Sequence, residues 1–442
     1  MDLSRRKFIK NSLTATTGAS LVHTIPGTLL ASKKEMSLND KINVSLVGCK
    51  DHGFNILKLH VKQPNVECVA LCDVDNNILQ EKASEIEKLT GKKPKLFKDY
   101  RKMLEEKGID AVIIGTPDHW HCLIMVAACE TGKDVYVEKP MANSIEECNI
   151  MVKAAKKYNR IVQVGQQQRS AKHWRQAMEL IHSGEMGKIR KVKYWANFNY
   201  GKGTEVVPDE PVPDGVDFDF WLGPAPERPF NRTRFHGYWR MFWDYGGGLM
   251  TDWGVHLIDM GIWALNLTAP PKSTMSIGGN FAEGNNSCET ADTQTVLYEF
   301  DNYHMVWDQN GGIETGPYGR IFGIEFIGEN GTLIADRDNW VVFPEGLGDS
   351  KRMKDIPQHE SEHRSHEDHV INFLECIRSR NKPACDVEIG RLAAIYAHLG
   401  NIAYRTGEKV VYDMNENVFK ESSKAESFRI PEYRKPWVLP KL

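Results

Sequence analysis

The chain has 442 residues, 41% hydrophobic and 10% aromatic, enough to bury the cores of two globular domains. Its 56 basic and 59 acidic residues leave a net charge of -3, which excludes the electrostatic footprint of a nucleic-acid or anionic-membrane binder and favours a small, uncharged ligand. Nine cysteines with no C-x-x-C pair, in apolar contexts such as VECVALCDVD and IMVAACE, read as buried thiols outside any disulfide framework or zinc site.

The first 36 residues place Arg5 and Arg6, with Phe8 and Lys10, ahead of a mildly apolar run rich in Ala, Thr and Ser. This is the pattern of a twin-arginine export signal, so the expected route is the twin-arginine translocase and the expected destination the periplasm. The run contains His23 and Pro26 and is too weak for a comfortable membrane span. Cleavage is expected near Ala31, and an uncleaved signal would tether the protein to the membrane.

From Ile42 to about Val164, the β-branched runs INVSLVG, VECVALCDV, AVIIGTP, DVYVEKP and RIVQVGQ alternate with helical stretches. They predict five consecutive strands of a doubly wound parallel sheet, a first domain over residues 40–165. Within it, YRKMLEEKGID has helical periodicity and ends at Gly108. Beyond Gln166 longer strands with polar alternation, KIRKVKYWANF, DTQTVLYEFDN and IFGIEFIGENGTLIADR, predict an open, mainly antiparallel sheet in a second α+β domain over residues 166–442. Residues 201–229 read as a long loop, and two helices close the chain.

The first strand runs into GCKDHG, where Gly48 suits a tight turn and Gly53 lets a helix pack on the strand, the fingerprint of a dinucleotide site. Lys50 replaces the glycine that usually admits the pyrophosphate and adds a positive charge beside it. Asp73 ends the second strand, where a carboxylate accepts hydrogen bonds from ribose hydroxyls and repels a 2'-phosphate, so NAD is expected over NADP. Thr116 and Pro117, with His121 in the same GTPDHWH segment, and Glu138 before Lys139 and Pro140, fall at carboxyl ends of later strands, where such sheets bind ligands.

In GGGLMTDWGVHLIDMGIW, Asp252 and His256 are four apart and would share a helix face, with Gly246 to Gly248 as a flexible lead-in. The stretch RFHGYWRMFWDYGGG is dense in aromatics that can stack on sugar faces, Tyr238 and Trp239 among them. Arg240, Gln168 and Arg169 offer donors for hydroxyls or a carboxylate. EHRSHEDH sets His363, His366 and His369 three apart; it reads either as a metal site or as the acidic first turn of a helix capped by Ser365. The chemistry proposed below needs no metal.

These motifs, from ALCDVD and GTPDHWH through EKPMANSIEE, VGQQQRS, FWLGPAPERPFN and GGGLMTDWGVHLIDM to YRKPW, resemble the glucose-fructose oxidoreductase / inositol dehydrogenase (Gfo/Idh/MocA) family, including its branch similar to NAD-dependent glycoside hydrolase family 109. The resemblance implies that Lys139, Asp252 and His256 surround the substrate carbon above the nicotinamide, and that subunits pair face to face as dimers or tetramers. His256 then serves as the base for a hydroxyl proton, Asp252 orients it or shares its proton, and Lys139 stabilises charge on the reacting oxygen. Three functions remain open: NAD-dependent oxidation of a sugar, glycoside or polyol hydroxyl; a redox-neutral glycosidase passing through a 3-keto intermediate; and non-catalytic sugar binding on a decayed nucleotide fold.

Overall fold

Strand β1 (Ile42–Val47) is apolar almost throughout because both its faces are covered, as befits a central parallel strand. The computed structural model describes residues 40–442, so the expected export signal lies outside the described residues. After β1 the chain alternates α1 (Asp51–Val61), β2 (Val66–Cys72), α2 (Asn76–Thr90), β3 (Lys95–Phe97), α3 (Tyr100–Leu104), β4 (Ala111–Ile114), α4 (His121–Glu130), β5 (Asp134–Val137), α5 (Ile145–Tyr158) and β6 (Val162–Val164). The strands form one parallel sheet in the order β3-β2-β1-β4-β5-β6. The order reverses between β1 and β4, which opens a ligand crevice at their carboxyl ends.

Two local expectations are corrected here. Five strands were expected and six are present, because β3 is a three-residue edge strand in KPKLFKD, too short and too charged to stand out. The helix read over YRKMLEEKGID stops at Leu104, and the Glu-Glu-Lys run after it is a turn.

After α6 (Lys172–Ser183), the second sheet begins at β7 (Ile189–Ala196). The long 201–229 loop, entered through a 3₁₀ turn (Asn199–Lys202), holds β8 (Thr204–Glu205) and α7 (Phe218–Leu222). Next come α8 (Gly248–Asp252), α9 (Gly254–Ala264), β9 (Ser273–Gly279), β10 (Asn286–Ser287), β11 (Thr293–Glu299) and β12 (His304–Asn310). The stretch read as one strand, IFGIEFIGENGTLIADR, is the hairpin of β13 (Phe322–Gly328) and β14 (Gly331–Ala335). With β15 (Asn339–Pro344) and β16 (His359–Glu360) these make an eight-stranded sheet, β16-β15-β14-β13-β7-β12-β11-β9, antiparallel except between β12 and β7. The architecture is thus the expected α/β class: a doubly wound parallel sheet followed by a large, mainly antiparallel one. Strand β8 pairs with β10.

The chain ends with α10 (Ser365–Ser379), α11 (Val387–Thr406), the hairpin of β17 (Val411–Asp413) and β18 (Val418–Lys420), and α12 (Ser423–Glu426). Ser365 is the first residue of α10 and not its cap; Arg364 holds that position without a side-chain bond. Helix α10 returns to the first sheet, where Val370, Phe373, Leu374 and Ile377 share a core with Ile42, Val44, Leu46 and Phe54. Helix α11 packs beneath the second sheet through Leu392, Ala393, Tyr396 and Ala397. Eight of the nine cysteines are buried and Cys288 is half-buried. No described helix is long and apolar enough to cross a membrane.

Candidate active site

At the end of β1 the chain turns through Gly48 (φ +83°), whose N–H donates to the Cys72 carbonyl at 3.0 Å. A Cβ on Gly48 would stand 2.7 Å from the Gly115 carbonyl carbon, one on Gly53 2.6 Å from the Gly48 oxygen, and one on Gly115 2.6 Å from the Gly53 Cα. Three backbones therefore touch, and only glycine lets the first turn of α1 seat against the crevice. Gly115 was missed in the sequence, although its place between a β-branched run and Thr-Pro marked a strand end.

Asp73 is fixed at the rim of this crevice: Oδ2 accepts from Cys49 N–H at 2.6 Å and Oδ1 from Asp75 N–H at 2.9 Å. Burial pushes its pKa up to about 6. Asp73, Lys50, Thr116, Pro117 and Glu138 line a cleft of about 1040 Å³, counting the open solvent at its mouth. The Thr116 hydroxyl is buried there without a hydrogen-bond partner among the described residues. A glycine cradle at a helix start, a carboxylate at the tip of β2 and an orphaned hydroxyl fit a dinucleotide. His121 does not line the cleft; it is buried, its ring nitrogens facing the Pro140 and Thr116 carbonyls at 2.9 and 3.0 Å, so it ties two loops together.

Lys50 caps α1 with φ -85° and ψ 153°, extended backbone that any residue adopts, so the lysine carries no strain. Its side chain lines the nucleotide cleft. We expect Lys50→Gly to bind NAD still but to release it several-fold faster, as read by stopped-flow dissociation; an equal or slower rate would remove Lys50 from the pyrophosphate site.

A second cleft adjoins the first, and His52, Lys139 and Arg240 line both. At the join the Lys139 ammonium donates to Asp252 Oδ1 at 2.5 Å and to the Asp252 carbonyl at 2.9 Å. Arg240 Nε donates to the same Oδ1 at 3.1 Å, and the Tyr200 hydroxyl to Oδ2 at 2.7 Å. Burial alone would raise the pKa of Asp252, but Lys139, Arg240 and these hydrogen bonds outweigh it and hold the carboxyl well below its usual range. Trp253 Nε1 donates to the Tyr200 oxygen at 2.6 Å, completing a chain from indole to phenol to carboxylate to ammonium.

His256 lines the second cleft but shares no helix with Asp252. The helix breaks at Trp253, leaving Asp252 at the end of α8 and His256 in the first turn of α9. No hydrogen bond joins the two side chains; Asp252 orients Lys139, and the expectation that it orients His256 is corrected. His256 Nδ1 is buried without a hydrogen-bond partner among the described residues. Burial, then the charges of Lys139 and Arg337, push its pKa well below the ordinary value, so the imidazole is neutral. Beside it, Glu138 holds His52 at 3.1 Å. Burial favours the neutral Glu138 acid, but His52, Lys139 and His366 together bring it down to about 2.

Three expected substrate contacts are placed differently. Gln168 lies behind the cleft, where its Nε2 donates to the His256 carbonyl at 3.3 Å; its neighbour Gln167 lines the cleft instead. Arg169 is buried against Asp259, donating from Nε to both carboxylate oxygens at 2.9 Å and from Nη2 to Oδ1 at 2.7 Å. Trp239 lines the nucleotide cleft, with the Arg240 guanidinium over its ring at 4.2 Å. Tyr238 does line the substrate cleft and is 38% exposed, available to a ring face.

The lead-in glycines are pinned, since Asn401 donates to the Gly247 carbonyl at 2.8 Å and Gly247 N–H to Thr251 at 3.0 Å. The three histidines of EHRSHEDH part company. His363 is exposed, His366 lines the substrate cleft, and His369 is buried between Ser170 at 2.7 Å and the Val164 carbonyl at 2.9 Å. Tyr200, Arg337, His52 and Gln167 join the site without having been singled out, and His366, singled out only as one reading of a metal site, joins them. Their signals were slight, a tyrosine in a glycine-rich loop and an arginine in what reads as a turn.

Residues 42–166 match the model of an oxidoreductase family's NAD-binding Rossmann fold, and residues 178–275 that of an oxidoreductase family's C-terminal alpha/beta domain. The chain is 27% identical over 299 residues to scyllo-inositol 2-dehydrogenase (NAD(+)) of Bacillus subtilis (strain 168), covering 65% of this chain and 73% of that protein. It is 26% identical over 204 residues to a glycosyl hydrolase family 109 protein of Shewanella baltica (strain OS185), covering 42% of this chain and 44% of that one, less than half its length. Among solved structures, levoglucosan dehydrogenase in complex with NADH and levoglucosan superposes with a TM-score of 0.64 at 16% identity, over 84% of this chain and 99% of that one, a likeness of fold.

Proposed function

The chain belongs to the Gfo/Idh/MocA family of NAD-binding oxidoreductases, and on that premise we propose that it oxidises a secondary hydroxyl of a sugar, glycoside or polyol. The observation that carries this reading is the shared wall of the two clefts, where Lys139 and Arg240 belong to both. Bound NAD supplies the hydride acceptor.

Lys139, held by Asp252, points its ammonium to the join of the clefts, where it donates to the reacting oxygen and steadies the negative charge that develops there. His256, neutral and lining the cleft, accepts the hydroxyl proton. The burial and neighbouring cations that keep it neutral also make it a weak base. Arg240 and Tyr200 fix the Asp252 carboxylate, and through it the lysine. A small carbohydrate is in keeping with the inositol and levoglucosan dehydrogenases the chain resembles.

A redox-neutral glycosidase is the second reading, favoured by the likeness to the family 109 protein. There, oxidation at C3 acidifies the C2 proton, a base removes it as the aglycone leaves, water adds to the resulting double bond, and reduction of the ketone restores the alcohol. Twin-arginine export to the periplasm belongs to the same proposal, and a trapped, recycled cofactor suits it. So does assembly into dimers or tetramers through the open sheet, where Met275, Ile277 and Leu297 are exposed side by side on β9 and β11.

Denaturing the purified protein should release NAD, and the native protein with added NAD should form NADH on some member of a sugar, polyol and glycoside panel. Aglycone release from aryl glycosides without net NADH would select the glycosidase. Absence of nucleotide, with no activity on adding it, would overturn both.

A further inference from the structure

The substrate cleft carries more fixed positive charge than the protein balances. Lys139, Arg240 and Arg337 line it, and Asp252 is the one carboxylate among the described residues that does. Lys139 and Arg240 share that carboxylate. On the nucleotide side Glu138 is paired with His52, and burial drives Asp118 toward its neutral acid. Of the remaining titratable groups in the cleft, burial lowers the pKa of His256 and of His366, so both are neutral at pH 7.

Arg337 has no acidic partner among the described residues, yet it is held firmly. Its Nε donates to Gln168 Oε1 at 3.3 Å. With the Gln167 amide turned to satisfy its neighbours, the Gln167 oxygen accepts from Nη2 at 3.2 Å. The guanidinium lies over the Trp253 ring at 4.4 Å and the Phe322 ring at 5.8 Å. These contacts occupy the face and one edge of the fork and leave Nη1 without a hydrogen-bond partner among the described residues. Arg337 is only part-exposed, and a guanidinium partly withdrawn from water without a counter-ion gains from an anion that completes it. The part left open is the edge that pairs in plane with a carboxylate.

We infer that the substrate carries a carboxylate, as a uronic acid, aldonic acid or glycosiduronate does, and that Arg337 binds it while Lys139 and His256 face the hydroxyl that reacts. The inference rests on the reading of this cleft as the carbohydrate site. A phosphate ester is disfavoured, because its second charge would need another uncommitted cation and Arg337 is the only one lining the cleft among the described residues.

The test is calorimetric titration of the NAD-saturated protein with matched probes: glucuronate, galacturonate, gluconate and methyl glucosiduronate against glucose, galactose, glucitol, methyl glucoside and glucose 6-phosphate. At least one carboxylate should bind about tenfold or more tighter than its neutral partner. Arg337→Gln should erase that preference, lowering carboxylate affinity about tenfold more than neutral-sugar affinity with NAD still bound, and Arg337→Lys should restore part of it. Neutral probes binding as tightly, a preference for the phosphate, no carboxylate binding at all, or an equal loss for charged and neutral probes in Arg337→Gln would each overturn it. Binding is read without turnover. Arg337-dependent carboxylate binding with no hydride transfer therefore sinks the oxidoreductase reading alone, and oxidation of neutral sugars without carboxylate preference sinks this one alone.

Discussion

Lys139→Met is expected to lower kcat by about 10²- to 10⁴-fold while the protein still releases NAD on denaturation. The methionine keeps the length of the side chain and removes the ammonium that donates to Asp252 at 2.5 Å, so the reacting oxygen loses its cationic donor. Asp252 retains Arg240 and Tyr200, which keeps its carboxylate satisfied and the fold intact. The loss should therefore fall on kcat, with little change in the melting temperature. A kcat within tenfold of the parent enzyme, measured on NAD-loaded protein, would remove Lys139 from the chemistry.

Arg169→Met should act on the opposite quantity. Asp259 is fully buried, and Arg169 embraces its carboxylate with three hydrogen bonds of 2.7 to 2.9 Å. Removing one partner of a buried ion pair strands the other, a loss of about 3–5 kcal/mol of folding stability. Denaturant unfolding should show it directly, and whatever fraction stays folded should keep a near-normal KM. A raised KM at unchanged stability would return Arg169 to the substrate cleft, where its sequence position first suggested it.

The contrast between those two residues shows what was legible. Five strands of the first sheet stand out because burial on both faces writes them as continuous apolar runs, whereas β3, a three-residue edge strand, has no run to write. Gly48, Gly53, Asp73 and Lys139 could be read because a strand end fixes where the next side chain must lie. The QQQRS segment offers no such guide. Residues Gln167–Ser170 form a short 3₁₀ turn, and a single turn has no period to say which side chain faces the ligand. Gln167 faces it, Gln168 supports from behind, and Arg169 turns into the core.

Tyr200 and Arg337 were illegible for a different reason. Each reaches the cleft from a loop after an interior strand of the second sheet, Tyr200 after β7 and Arg337 after β14, and only the assembled sheet brings them to Asp252 and Gln168. Asp252 and His256 were found by their spacing of four, yet the break at Trp253 gives them different partners. The spacing picked out two residues that line the same cleft, but not on the shared helix face it implied.

Helix α10, which lies on the first sheet although it comes some two hundred residues after it, bears on how such enzymes can be recombined. Phe373 and its neighbours complete the core around β1. A chimera that borrows only residues 40–165 to change nucleotide preference would leave that apolar seam bare, or fill it with a helix shaped for another sheet. The natural unit of exchange is the sheet together with α10, a discontinuous module, and grafts that respect it stand the better chance of yielding soluble protein.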